Sequence, residues 1–379
     1  MKKRIINGTI FDEAGSFAAD TLYVLDGRIA TEQEYAAAPG EEEIIDAQGC
    51  YVIPGLTDIH FHGCVGCDCC DGTAASFRAI AEYELKNGVT TITPATMTLS
   101  EEMLMKIAEA AADFEDENGA VLAGLYMEGP FISMEKKGAQ NGLYIHKPDV
   151  AMFERLQAAA KGKFRTVVVA PETEGAMDFI KALRGKVNIS LAHMTADYET
   201  ACEAIACGAT EITHLYNAMN PFTHRAPGPI AAAADSETCR AELICDGIHI
   251  HPAVVRTTFR MFGDDRMILI SDSMRAAGMP DGEYDLGGQQ VFVTGKRAVL
   301  ADGTIAGSAT NLMDCMRTAV RDMHIPLASA VKAAAVNPAK AVGIYDEYGS
   351  LTPGKYANVV LLDEELGLRQ VYKNGKSVL

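Results

Sequence analysis

The middle of the chain alternates short apolar runs with longer amphipathic or alanine-rich stretches. Short apolar runs of this kind predict buried strands, and the stretches between them predict helices. The strands are expected at residues 52–62, 89–95, 121–128, 166–170, 187–193, 209–214, 241–246 and 267–272. Helices are expected between them, for example at residues 100–117, 150–160, 198–207 and 312–323. Eight successive strand–helix units predict an α/β fold in which a parallel sheet closes into a TIM-like (β/α)8 barrel.

The two ends of the chain show a different pattern, in which short strand-like runs are separated by turn residues. Turn pairs recur at Asn7-Gly8, Asp26-Gly27, Gln48-Gly49 and Asn374-Gly375. Such pairs between apolar runs are typical of small antiparallel sheets. We therefore predict that residues 1–51 and 342–379 fold together as a small discontinuous β-sandwich domain, and that residues 52–341 form the barrel.

Composition narrows the class of protein. Hydrophobic residues make up 48% of the chain, which is typical of a soluble globular enzyme. The formal net charge of −18 argues against a nucleic-acid partner, because phosphate backbones are bound by clustered Lys and Arg. No apolar stretch of signal-peptide or membrane-span length follows the N-terminus, and the ten cysteines are thinly spread, so we expect a cytoplasmic protein with reduced thiols.

Six of the eight predicted strands end in, or lead into, a residue that can bind a metal ion or move a proton. These residues are His60 and His62, Glu128, His193, His214, His249 and Asp272. Barrels of this kind carry their chemistry at the carboxyl ends of the strands. The pattern therefore predicts one active site that gathers these side chains.

A metal site is the first hypothesis for this group. His60 and His62 lie two residues apart on a strand and can ligate one ion together, although an isolated pair at this spacing is more often structural. Glu128 ends an apolar strand, where a buried carboxylate is costly without a cation. Glu128, His193 and His214 form a His2Glu set that suits zinc or ferrous iron, although each histidine alone could be a core residue.

Asp272 ends the last predicted strand and has two interpretations. A carboxylate that faces a metal-bound water can take its proton and later deliver it to a leaving nitrogen. The alternative is an ordinary helix N-cap before Ser273.

The run of Cys64, Cys67, Cys69 and Cys70 also has two interpretations. Its Cys-x-x-Cys spacing suits a structural zinc ion, but no second Cys or His pair completes such a site, so an ordinary loop is the alternative.

These residues resemble the metal-binding set of the amidohydrolase superfamily. Further motifs resemble N-acetylglucosamine-6-phosphate deacetylases, and they run along essentially the whole chain. They are Glu128-Gly129-Pro130-Phe131, Lys136-Lys137-Gly138-Ala139-Gln140, His214-Leu215-Tyr216-Asn217-Ala218-Met219, Asp246-Gly247-Ile248-His249 and Ile305-Ala306-Gly307-Ser308. Several motifs in the same order are far more specific than any one of them.

The resemblance implies a role for each matched residue. Glu128, His193 and His214 would hold the essential divalent metal, Zn or Fe, and His60 and His62 would allow a second ion. Asp272 would be the catalytic acid and base. The substrate would contact Asn217 and Ala218, its 6-phosphate would be bound by Arg225 and His249, and Ala139, Gln140, Ile305, Ala306 and Gly307 would line the sugar and acetyl site.

The resemblance also implies an activity and an assembly. We expect hydrolysis of the N-acetyl group of the phosphosugar N-acetyl-D-glucosamine 6-phosphate, in amino-sugar catabolism, by a homodimer whose interface can complete the phosphate clamp. Three alternatives stay open from the sequence. They are deacetylation of N-acetylgalactosamine 6-phosphate, amidohydrolase action on a cyclic amide, and a non-catalytic barrel that serves as a scaffold.

Overall fold

The computed structural model of this chain describes residues 1–378. Its helices are α1 Glu32–Ala37, α2 Ala74–Lys86, α3 Glu101–Ala112, α4 Val150–Ala159, α5 Ala176–Leu183, α6 Tyr198–Cys207, α7 Gly228–Asp235, α8 Pro252–Phe262, α9 Leu312–Arg321, α10 Leu327–Val331 and α11 Asn337–Ala341, the last two joined by the π-helical turn Lys332–Val336. Its strands are β1 Lys2–Phe11, β2 Phe17–Leu25, β3 Arg28–Ala30, β4 Glu42–Asp46, β5 Tyr51–Pro54, β6 Leu56–Asp58, β7 Gly63–Cys64, β8 Cys67–Asp68, β9 Val89–Ile92, β10 Ala95–Thr96, β11 Val121–Leu122, β12 Leu125–Met127, β13 Phe164–Val169, β14 Asn188–Leu191, β15 Glu211–Ile212, β16 Arg240–Ile244, β17 Met267–Ile270, β18 Gly282–Leu286, β19 Gln289–Thr294, β20 Arg297–Val299, β21 Val359–Leu362, β22 Leu368–Lys373 and β23 Lys376–Ser377.

The barrel is built from parallel strands in chain order. Seven of them follow the order β10-β12-β13-β14-β15-β16-β17, and β6, β9 and β11 form a second parallel set beside them. Between β17 and β6 the ring is completed by hydrogen bonds, from Asp272 N to His60 O at 3.0 Å and from Ser271 Oγ to Asp58 Oδ2 at 2.5 Å. The predicted (β/α)8 barrel is confirmed, and its strands are apolar runs because helices and the barrel interior bury both faces.

The two chain ends share one sheet, ordered β23-β22-β21-β5-β1-β2-β3, with β4 also paired to β1. This sheet encloses its own small core, which includes Ile5, Val24, Val52, Val359 and Tyr372. Both chain ends contribute to that core. The predicted β domain built from the N- and C-terminal segments is therefore present.

One predicted strand needs correction. The expected strand at residues 52–62 is two elements in two sheets, because β5 belongs to the sheet of the chain ends and only β6 belongs to the barrel. The sheet of the chain ends therefore includes Tyr51–Pro54. Gly55 separates the two strands, and a Cβ atom there would lie 2.2 Å from Thr90 Oγ1, so only glycine fits at this crossing.

Two segments cover the carboxyl end of the barrel. The loop after β12 contains the 3-10 turns Met134–Lys136 and Gly142–Tyr144. The antiparallel sheet β18-β19-β20 follows β17, and its Gln289 side chain donates a hydrogen bond to the Ala139 carbonyl in the loop. Within residues 1–378, no helix is long and apolar enough to cross a membrane.

Candidate active site

The chain turns sharply at the carboxyl ends of three barrel strands. His193, His214 and Asp272 each lie two residues beyond the end of their strand, β14, β15 and β17. Their φ angles are 45°, 29° and 46°, in the left-handed region that residues other than glycine rarely adopt. Such strain persists where the surrounding structure imposes it, and it is common at functional sites.

The first cluster joins Glu128, His193 and His214. Oε1 of Glu128 lies 3.0 Å from Nε2 of His193 and 3.1 Å from Nε2 of His214. The two Nε2 atoms are 3.2 Å apart. Nδ1 of His193 lies 2.8 Å from the Lys136 carbonyl, which fixes the ring so that Nε2 faces the site. Two imidazole nitrogens that converge on one carboxylate oxygen form a donor set for a divalent cation.

The second cluster uses the same glutamate with the other histidine pair. Nε2 of His62 lies 3.2 Å from Glu128 Oε2, and Nε2 of His60 lies 3.6 Å from Glu128 Oε1. The His60 Nε2 atom is buried and has no hydrogen-bond partner. In each cluster the candidate ligand atoms all lie within 4.8 Å of one another. The arrangement therefore fits two cations that share Glu128.

The surroundings keep the two carboxylates ionised. Burial would raise the pKa of Glu128, but His60 and the hydrogen bonds with His193 and His214 hold that pKa well below its usual range. Burial opposes ionisation of Asp272 as well, yet His62 and His60 lower the pKa of its carboxyl group. Although burial acts against it, hydrogen bonds with Asp272 and Glu128 raise the pKa of His62 to about 10. An ionised Asp272 can accept a proton at neutral pH.

A central cavity of about 390 Å³ opens onto both clusters. Most of the predicted site residues line it, namely His62, Glu128, Ala139, Gln140, His193, His214, Asn217, Ala218, His249, Asp272, Ile305 and Gly307. His60 and Ala306 are fully buried and are not among the lining residues. The structure thus gathers nearly all the predicted site residues in one place, at the carboxyl end of the barrel.

Gln140 makes two buried hydrogen bonds that the sequence did not predict. Its Nε2 atom donates to Glu128 Oε2 at 2.8 Å, and its Oε1 atom accepts from Thr98 N at 2.7 Å. The side chain is buried and links the end of one strand to the shared glutamate. A contact between Gln140 and the substrate acetyl group stays a prediction.

Arg225 lies apart from the cavity. Its side chain is exposed and lines a separate surface cleft with Tyr198 and Asn220. His249 does line the cavity, and its Nδ1 atom lies 2.7 Å from Asp246 Oδ2. Burial alone would lower the pKa of the His249 imidazole, but its contact with Asp246 raises that pKa above its usual value. Of the two predicted phosphate ligands, the structure brings only His249 to the site.

Sequence reasoning missed several residues of the site. The cavity is also lined by Met97, Glu135, Lys136, Gly138, Leu286 and Thr304. Lys136 and Gly138 belong to a motif that was recognised, whereas Met97, Leu286 and Thr304 carry no sequence signal.

Two buried glutamates beneath the site were also missed. Glu242 lies with Oε2 2.8 Å from Nδ1 of His60. Burial, and next the neighbouring Glu242, raise the pKa of Glu211 well above its usual range. The signal that could have found Glu242 is a charged residue inside the apolar run between Ala241 and Leu243.

The cysteine run forms no metal cluster in the part of the chain that the structure describes. Cys64 and Cys67 face each other across the β7-β8 hairpin, and all ten cysteines are free. The two groups of potential metal ligands found among residues 1–378 contain His and Glu only. Cys70 Sγ instead accepts a hydrogen bond from Met97 N at 3.3 Å. These observations favour the ordinary loop over structural zinc.

Comparison with known proteins places these features in a family. The model of the amidohydrolase family matches residues 51–378. N-acetylglucosamine-6-phosphate deacetylase from Lysinibacillus sphaericus is 34% identical, over 98% of this chain and 96% of its own. N-acetylgalactosamine-6-phosphate deacetylase from Escherichia coli O157:H7 is 32% identical, over 97% of each chain. A solved structure of a variant N-acetyl-D-glucosamine-6-phosphate deacetylase from Mycobacterium smegmatis, in complex with N-acetyl-D-glucosamine-6-phosphate, superimposes with a TM-score of 0.91 at 30% identity, covering 100% of this chain and 99% of that one.

Proposed function

We propose that this chain, which belongs to the amidohydrolase family, hydrolyses the N-acetyl group of N-acetyl-D-glucosamine 6-phosphate in amino-sugar catabolism. The products are D-glucosamine 6-phosphate and acetate. The observation that carries this function is the pair of clusters sharing Glu128 beside Asp272, in a cavity open to solvent. A scaffold protein has no physical reason to keep buried carboxylates and histidines in this arrangement.

We propose that the enzyme binds two divalent ions, zinc or iron, through the two clusters. The donor chemistry supports this, because imidazole and carboxylate ligands suit both metals. Nε2 of buried His60 also has no hydrogen-bond partner, and a bound ion would give it one. Ions bound there would polarise the acetyl carbonyl and lower the pKa of a bound water.

The residues of this chain would then carry the proton. Asp272 takes a proton from the attacking water as the new C–O bond forms, and it holds that proton while the tetrahedral intermediate exists. As the C–N bond breaks, Asp272 gives the proton to the sugar nitrogen. Nε2 of His62, a proposed ion ligand, lies 3.4 Å from Asp272 Oδ1, so this acid and base lies beside the second cluster.

The phosphate end of the substrate is proposed to bind His249 from the same chain and Arg225 from a second copy. In its own chain Arg225 lines a separate cleft and does not reach the cavity. Its guanidinium is nevertheless the group best suited to bind a phosphate. Exposed apolar side chains, Leu143 at 79% and Phe222 at 52%, lie on loops at the same end of the barrel. Such a surface supports a homodimer that covers the cavity mouth.

A complementation experiment tests the dimer. R225A and D272N variants, each inactive alone, are unfolded together, refolded as a mixture and assayed. If Arg225 serves the neighbouring cavity, mixed dimers contain one complete site and activity returns. Activity that stays at the level of the separate variants, in a mixture shown by mass to contain mixed dimers, would place Arg225 in its own site.

The reaction itself is tested by acetate release. N-acetylglucosamine 6-phosphate, N-acetylgalactosamine 6-phosphate and unphosphorylated N-acetylglucosamine are compared, with metal-stripped enzyme as the blank. Preference for the galactosamine compound would support the second candidate function, which the 32% identical relative favours. No turnover of any of them would reject deacetylation of these sugars.

We further propose that the enzyme works in the cytoplasm. All ten cysteines are free, and Cys64 and Cys67, opposite each other in one hairpin, are not joined. Free thiols in such number are typical of a reducing compartment.

A further inference from the structure

Glu242 is a buried carboxylate that contacts the metal-binding residues from below. It lies in β16, and its side chain and that of His60 are both 0% exposed. Its Oε2 atom lies 2.8 Å from His60 Nδ1. A carboxylate has no proton to donate, so the hydrogen of this bond lies on Nδ1 of the imidazole.

This bond decides which nitrogen of His60 is available. With one hydrogen held on Nδ1, His60 would release the other from Nε2 on binding an ion, and Nε2 is the atom that has no hydrogen-bond partner and lies 3.6 Å from Glu128 Oε1. The ring of Tyr126 stacks on His60 with centroids 4.3 Å apart and 19° between the planes, which opposes rotation of the imidazole. Orientation and tautomer are therefore fixed together.

The same carboxylate oxygen also supports the other cluster. Oε2 of Glu242 accepts a hydrogen bond from the backbone N of His214 at 3.2 Å, and the Glu242 carbonyl accepts one from Leu215 N at 2.8 Å. These bonds hold the segment in which His214 has a φ of 29°. One side chain thus contacts a ligand of each cluster.

We propose that Glu242 is a positioning residue that couples the two ion subsites, by setting the tautomer of His60 and by holding the backbone turn of His214. The inference rests on the proposed function in one respect, since it requires that the His60 cluster binds an ion. A carboxylate behind a metal-bound histidine also makes the imidazole a stronger ligand, and loss of such a partner typically lowers metal affinity about 10- to 100-fold.

Glu211 offers a matched control. It lies beside Glu242, and its Oε1 atom accepts a hydrogen bond from Asn188 Nδ2 at 3.0 Å rather than from a metal-binding histidine. E211Q and E242Q therefore make the same replacement of a carboxyl group by an amide at two adjacent buried positions. Only E242Q alters the contact to His60.

The experiment measures ion binding by the full-length enzyme, separately from turnover. Metal-free wild type, H60N, E242Q and E211Q are titrated with Co²⁺, and ion stoichiometry, affinity and the visible d–d spectrum are recorded. H60N identifies which binding step belongs to the His60 subsite. Thermal unfolding of the metal-free proteins checks that each variant is folded.

We expect E242Q to weaken the step lost in H60N by about 10-fold or more and to change its cobalt spectrum, while E211Q stays close to wild type. Wild-type affinity and spectrum in folded E242Q would overturn the role of Glu242, as would equal losses in E211Q and E242Q. A wild type that binds one ion, unaffected by H60N, would overturn it too. Failure of the proposed function can be told apart from failure of this inference. If wild type binds two ions but releases no acetate, the proposed function fails, and the comparison of ion binding among the variants still stands.

Discussion

Nε2 of His62 lies 3.4 Å from Oδ1 of Asp272. This contact places the proposed acid and base directly against a ligand of the second ion cluster. The proposed proton transfer and the proposed ion binding therefore share one buried group of side chains, in which each residue can be changed separately.

D272N tests the acid and base. The amide keeps the shape of the side chain but cannot accept the proton of the attacking water, so kcat should fall by roughly 10²- to 10⁴-fold or more. Metal content, measured by atomic emission, should stay close to that of wild type. A variant that keeps near wild-type kcat would remove Asp272 from the mechanism.

Chelation tests the requirement for metal. Enzyme stripped of metal should lose acetate release and should recover it when Zn²⁺ or Fe²⁺ is returned. The ions should also stabilise the fold, by roughly 2.7 kcal/mol for a site at 100 times its Kd, which thermal unfolding with and without metal would detect. Full activity in protein that contains less than a tenth of an ion per chain would contradict the metal sites.

H249N tests the phosphate contact. Loss of a charge-assisted hydrogen bond costs about 1.5–3 kcal/mol, so kcat/KM for the phosphorylated sugar should fall about 10- to 150-fold. The low rate with unphosphorylated N-acetylglucosamine should not change. H251N is a suitable control, because His251 is exposed and caps the start of α8. Equal losses on both sugars would point to a structural role for His249.

E84Q tests a buried carboxylate outside the site. Glu84 in α2 is 0% exposed, and both of its side-chain oxygens lack a partner. Burial, and next the charge of Asp58, raise the pKa of Glu84 well above its usual range. An acid with a raised pKa in the folded state costs nothing while both states are protonated, and it destabilises the fold as pH rises above the pKa in the unfolded state, about 4.3.

E84Q should therefore unfold at higher urea concentration than wild type at pH 8, by roughly 1–3 kcal/mol of unfolding free energy. The difference should shrink as pH falls toward 5. E109Q, on the exposed face of α3, should show no such trend. A constant difference between E84Q and wild type at all pH values would mean that Glu84 is not protonated in the folded state.

The sequence predicted the barrel because its strands are apolar runs, and it predicted the site because His193, His214 and Asp272 stand where such runs end. It did not predict Glu242, because the partner that explains this carboxylate, His60, is 182 residues away along the chain. It also could not show that Arg225 lies outside the cavity. A motif gives the order of residues along the chain. Whether a loop turns its side chains toward the cavity or away from it depends on how the loop packs.

The pairing of β5 with β21 brings together residues from opposite ends of the chain, with Ile53 opposite Val360. During synthesis the N-terminal strands leave the ribosome first, and the strand that completes their sheet is among the last segments made. The edge of β5 is therefore without its neighbour until translation is nearly finished, and an unpaired edge invites wrong partners. For this protein the slowest and most vulnerable stage of folding is expected in the small sheet, whose strands contain none of the proposed site residues.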